Sequence, residues 1–113
     1  MTGQDLYIER AEIKNSLNRS MAKMHENGED FAEKTRLYRI ALRQKILYLR
    51  DNGIQISIVE KIAKGDEDVA QKEFDMNLAE VLYKSSQENI MVQKKLLDSV
   101  EADIAREWGR RDE

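Results

Sequence analysis

Residues 34 to 50 carry Lys34, Arg36, Arg39, Arg43, Lys45 and Arg50 with no acidic residue, a net charge of +6 interleaved with Leu37, Tyr38, Ile40, Ala41 and Leu42. Guanidinium and ammonium groups beside an aromatic ring suit two tasks, gripping phosphate oxygens and stacking on a base. Arg36, Tyr38, Arg39, Arg43 and Lys45 are therefore the candidate ligand- or partner-binding residues. The ligand they fit is a nucleotide or a single-stranded nucleic acid. The competing reading is structural: Arg36 and Arg43 have acidic residues at matching spacing later in the chain, which leaves Arg39 and Lys45 as the cations least clearly paired. A net charge of -3 and a pI near 5.3 argue against a general nucleic-acid coat.

Carboxylates three apart occur at Glu9 and Glu12, Asp30 and Glu33, and Asp98 and Glu101. Such pairs hold magnesium when they face inward, because two carboxylates one helical turn apart can share a hard cation. These fall between the apolar positions and read as solvated helix surface. His25 has Ala22 three residues before it, so the Glu-x-x-His element of di-iron bundles is missing. With no Cys and one His, the 113-residue chain has no thiolate site, no disulfide framework and no two-histidine mechanism within one copy. The expectation is a non-enzyme with no metal and no cofactor.

What would position these residues is helix. The chain has no Pro, and Gly28, Gly53, Gly65 and Gly109 mark the places where a helix could stop or turn. Leu17, Met24, Phe31 and Tyr38 recur at intervals of seven, as do Met21, Gly28, Thr35, Leu42 and Leu49. That phase runs straight through Asn27-Gly28, so the sequence predicts one long helix from about 5 to 51, open to a kink or break at 27–28. Asn52-Gly53 closes it. Residues 52–65 form a tip in which Ser57 to Glu60 has the form of a capping box, giving a short helix over 57–64. Asp66 is the next N-cap, followed by Glu67 and Asp68 where the helix dipole favours negative charge. A second long helix is expected over 66–108, because Val69, Met76, Tyr83, Ile90, Leu97 and Ile104 are six apolar residues seven apart. Residues 109–113 are left as a disordered tail, and 1–113 is read as a single helical domain.

Folded back around the tip, the two long helices would pair Leu49 with Val69, Leu42 with Met76, Thr35 with Tyr83, Gly28 with Ile90 and Met21 with Leu97. Small residues then meet large ones, as a packed interior requires. The charges suggest the same antiparallel sense: residues 66 to 82 carry a net charge of -5, and Arg50 with Asp66, Arg43 with Glu73 and Arg36 with Glu80 would flank the seam. Exposed pairs contribute only about 0 to 1 kcal/mol each, so they select register more than they stabilise. The fold class is all-α, a long antiparallel coiled-coil-like hairpin with a short helix at its tip.

Such a hairpin leaves apolar residues over. Leu37, Ile40 and Leu47 on the first helix and Phe74, Leu78, Val81, Leu82, Val92 and Leu96 on the last form a second apolar face, which a homodimeric four-helix bundle or larger oligomer would cover. Trp108 is expected to cap the open end beside Arg10, Leu6 and Tyr7. No run of eighteen apolar residues is present, and Met1 to Asp5 does not lead into a signal-like stretch, so a cytoplasmic protein without membrane contact is expected.

Leu37-Tyr38-Arg39, Leu49 to Gly53, Ala63 to Asp66, Ala79 to Lys84 and Arg106-Glu107-Trp108 resemble stretches of small helical proteins encoded in the early regions of temperate tailed bacteriophages of Gram-positive bacteria. The resemblance spans about residues 35 to 108 and includes no catalytic signature. It implies a phage origin, the host cytoplasm and action by binding. The functional expectation is a non-enzymatic protein that binds a host or phage protein through a helical surface. The alternative is capture of a phosphate-bearing ligand, a nucleotide immune signal or single-stranded nucleic acid, by residues 34–50.

Overall fold

The computed structural model describes residues 3 to 112, and every regular element among them is helical: α1 (Gly3–Asp51), α2 (Ile56–Lys64) and α3 (Glu67–Asp112). α1 and α3 are the helices most in contact. α1 runs unbroken through Asn27-Gly28. A glycine inside a helix costs about 1 kcal/mol against alanine, and the packing shows why this position is small. A Cβ on Gly28 would lie 3.1 Å from the Tyr83 ring, which in turn stacks at a tilt on Phe31 with centroids 6.1 Å apart.

The end of α1 is a Schellman motif. Gly53, at φ +87°, donates its N–H to the Arg50 carbonyl and Ile54 donates to that of Leu49, so the last carbonyls are satisfied and the chain turns on the residue that tolerates a left-handed backbone. α2 differs from expectation at its start. Gln55, in extended conformation, is its N-cap and makes no side-chain capping bond, so Ser57 lies inside the helix and no Ser57–Glu60 capping box forms. The turn at Gly53 delivers an extended residue two positions early, and the Gln55 carbonyl becomes the first acceptor for Ile58 and Val59. Asp66 does cap α3, accepting the Val69 N–H at 3.3 Å. α3 then continues past Gly109 to Asp112, through most of the stretch read as a tail; Glu113 lies outside the described residues.

The chain divides into two compact units, residues 1–25 with 84–113 and residues 26–83. In the first, the start of α1 lies antiparallel to the end of α3 around Leu6, Val100 and Ile104, with Ile13 packed against them. In the second, the end of α1 lies antiparallel to the start of α3, and the buried side chains are Val59 and Ala63 of α2 and Val69 and Ala79 of α3.

The register is one heptad away from the one the sequence suggests. In the second unit Gly28 meets Tyr83, Tyr38 meets Glu73 and Lys45 meets Asp66. In the first, Arg10 meets Glu101 and Ser20 meets Gln93. Leu42 is thus level with Val69 rather than Met76, and the last turn of α1 lies beyond the start of α3. A slip of seven residues keeps every stripe facing its partner, so periodicity alone cannot choose between the two registers.

Candidate functional site

The arginine-rich segment lies in the second unit, and its candidate cations are more engaged than their sequence suggests. Arg36 turns back on Glu33 of its own helix, through bonds of 3.0 Å from Nε and 2.6 Å from Nη2. The same hydrogen bond holds the Glu33 carboxyl below its ordinary range and raises the guanidinium. The Tyr38 hydroxyl donates to the Glu73 carboxylate at 2.7 Å, and this bond, with burial and the charges of Glu73 and Glu60, pushes the phenol up to about 12. Lys45 joins Asp66 at 3.2 Å and sits 5.1 Å from the centroid of the Tyr48 ring. Asp66 thereby acts twice: the Val69 N–H, then Lys45, keep its carboxyl below the usual carboxylate range. Arg39 and Arg43 are exposed.

Three expected pairings are replaced. Asp66 is taken by Lys45 and not Arg50, Glu73 by Tyr38 and not Arg43, and Arg36 by Glu33 and not Glu80. The one-heptad change explains this, because it brings Lys45 and Tyr38 of the inner row level with the acids that the other register gives to outer arginines. A cleft beside this row is lined by Ala41, Gln44, Lys45, Tyr48, Asp66, Asp68 and Val69. Its lining carries one ammonium, Lys45, already bound to the Asp66 carboxylate, and a second carboxylate, Asp68. An incoming phosphate would have to displace Asp66 from Lys45 and sit near Asp68, so the electrostatics oppose it.

Elsewhere the carboxylate pairs lie largely at the surface: Asp30, Glu33, Asp98 and Glu101 are exposed, as is Glu12, and Glu9 is half-buried. His25 is exposed. Among the described residues no group of three or more His, Cys, Asp or Glu side chains is placed to hold a metal ion. In the first unit the Trp108 indole N–H donates to the Tyr7 hydroxyl, and the Arg10 guanidinium lies 4.9 Å over the Tyr7 ring. A shallow cleft lined by Leu6, Tyr7, Ile104, Glu107 and Trp108 opens there, with room for about one water molecule. Trp108 stays half exposed, so it covers this end only in part.

Outer apolar residues are exposed in each unit. Ile40, Leu47, Phe74, Leu78, Val81 and Leu82 are exposed in the second unit, and Val92 and Leu96 in the first. Leu37 is half-buried. Sequence reasoning passed over other exposed apolar residues, among them Tyr48 at 59% exposure and Met91 at 60%. Tyr48 follows Ala41 by seven residues, a spacing that places it beside the outer row and could have marked it.

No protein-family model, no curated protein sequence and no solved structure matches this chain. No helix among the described residues is long and apolar enough to cross a membrane.

Proposed function

We propose that this protein performs no chemistry of its own and acts by binding another protein through its outward helix faces. One observation carries the reading: the second unit buries small side chains, Val59, Ala63, Val69 and Ala79, while Phe74, Leu78, Val81 and Leu82 stand outside on one side of α3. Fully burying a Leu, Val or Phe side chain is worth about 1.5–3 kcal/mol. A helix that keeps four of them in water has a second apolar side open to contact. The likeness of residues 35–108 to early proteins of temperate phages fits this reading, with a host or phage protein as partner. Capture of a phosphate ligand by residues 34–50 is less well supported, since Arg36, Tyr38 and Lys45 each already hold a carboxylate.

The chain has no Cys, so a single introduced thiol can carry a photoreactive maleimide. Leu78→Cys and Val92→Cys proteins, labelled and irradiated in bacterial lysate, should give protein adducts that Lys61→Cys, on the exposed side of α2, does not. Adduct-free Leu78→Cys and Val92→Cys proteins would remove the basis of the reading.

A further inference from the structure

One layer of the first unit departs from its apolar seam. On the inner side of α1, Leu6, Ile13 and Ser20 follow one another at intervals of seven, and on α3 Gln93, Val100 and Glu107 do the same. Ile13 packs against the cluster that contains Val100, so there apolar meets apolar. One heptad further on, Ser20 meets Gln93. Its Oγ accepts the Gln93 Nε2–H at 2.9 Å and the Asn89 Nδ2–H at 3.2 Å, so here polar meets polar.

This layer lowers stability. Gln93 Oε1 is buried and has no hydrogen-bond partner. Turning the amide over would exchange its two ends and leave one of them unpaired all the same. A buried polar atom without a partner is unfavourable, and an apolar side chain at 93, like that of Val100, would remove the penalty.

What the layer gains is preference for one register. A repeat of seven tolerates a shift of seven wherever its inner positions are all apolar. Here they are not. Shifted one way, Ser20 would face Val100 and Ile13 would face Glu107; shifted the other way, Gln93 would face Ile13. Each neighbouring register sets a polar group against an apolar one, and the first of them is the register that the apolar repeats suggest. Single polar positions in a helical seam fix register in this manner, with some loss of stability.

We infer that Ser20, Asn89 and Gln93 form a register-selecting layer, which holds α1 and α3 of the first unit at one offset and excludes the offsets one heptad to either side. Register decides which residues of two helices stand side by side. The layer therefore also fixes the surface that a partner of this unit would meet.

The chain has no Cys, so Glu12→Cys and Ser85→Cys, both exposed and both in the first unit, can carry nitroxide labels for pulsed spin–spin distance measurement. Labelled full chain is diluted with unlabelled copies, so that only pairs within one chain are read. The wild-type background should give one distance. Ser20→Ile with Gln93→Val reproduces the neighbouring pair of Ile13 and Val100, and apolar side chains at 20 and 93 can meet Val100 or Ile13 as readily as each other. A second distance should then appear about 10 Å away, the rise of seven helical residues. The urea midpoint of this double variant should at least equal that of the wild type and lie up to about 1 M above it. A layer that only held the helices together would lower the midpoint when removed. A single distance in the double variant overturns the inference, as does a lower midpoint, or two distances in the wild-type background.

Discussion

The two units use the same pair of helices in different ways. Residues 1–25 with 84–113 put large side chains between the helices: Leu6, Val100 and Ile104 are buried together, Ile90 is buried nearby in the sequence, and Tyr7 and Trp108 close on each other beyond them. Residues 26–83 fully bury only small side chains, half-bury Phe31, Leu42, Met76 and Tyr83, and add polar contacts, Tyr38 to Glu73 and Lys45 to Asp66. A further set of large residues, Ile40, Leu47, Phe74, Leu78, Val81 and Leu82, is exposed. One arrangement gains most of its stability from apolar burial, which is insensitive to pH. The other adds contacts between groups that titrate, and leaves a second set of apolar residues exposed.

The sharpest break of that comparison comes from the buried positions. Ile104→Ala should destabilise the first unit by about 3 kcal/mol, because the transfer term and the cavity term add at a site that cannot collapse freely, whereas Phe74→Ala should leave the stability of an unassociated chain nearly unchanged. Urea titration of both variants below the association range measures the difference. Equal losses would mean that Phe74 already has its partner within the chain.

Next in size is Tyr38→Phe, expected to cost about 1 kcal/mol as a net hydrogen bond. It also carries a pH signature. The folded-state value of Tyr38 is raised from 10.0 to about 12, so its contribution is fully present below pH 10 and is lost as pH rises through about 12. The stability difference between the wild type and Tyr38→Phe should shrink across that interval. At the acid end the sign reverses: Asp66 is held below its ordinary value, so its contribution is present above the usual carboxylate range and disappears as pH falls through the folded-state value. Asp66→Asn should lower the urea midpoint and flatten the acid limb.

The smallest expected effect is that of Ser57→Ala, which should move the urea midpoint by no more than experimental error. Its hydroxyl does not cap α2, because Gln55 begins that helix. A loss like that of Asp66→Asn would restore the capping box and place the helix start two residues later.

Much of this was legible from residues alone. The helix through Gly28, the left-handed turn at Gly53 and the N-cap at Asp66 each follow from local chemistry within a few residues, and local chemistry is what a sequence states directly. That Ile40, Leu47, Phe74 and Leu78 lie off the seam was legible as well, since apolar residues that do not fit one seam must lie off it. The partners of the cations were not. Lys45 reads as the least paired cation and is bound to Asp66; Arg36 reads as a cross-helix partner and is bound to Glu33. An arginine side chain reaches acids on its own helix as readily as acids on the next, and only the register decides which are near.

The order of residue types, then, determined where helices form, where they end and which sides of them are apolar, because those depend on neighbours three to seven positions away. The tertiary structure decided which heptad of α1 faces which heptad of α3. A repeat of seven satisfies its own periodicity after a shift of seven, and what distinguishes the two registers is contact between residues distant in the chain: the Tyr83 ring over Gly28, the Tyr38 hydroxyl on Glu73, and α2 with its buried Val59 and Ala63 occupying the end that the other register would have given to α3.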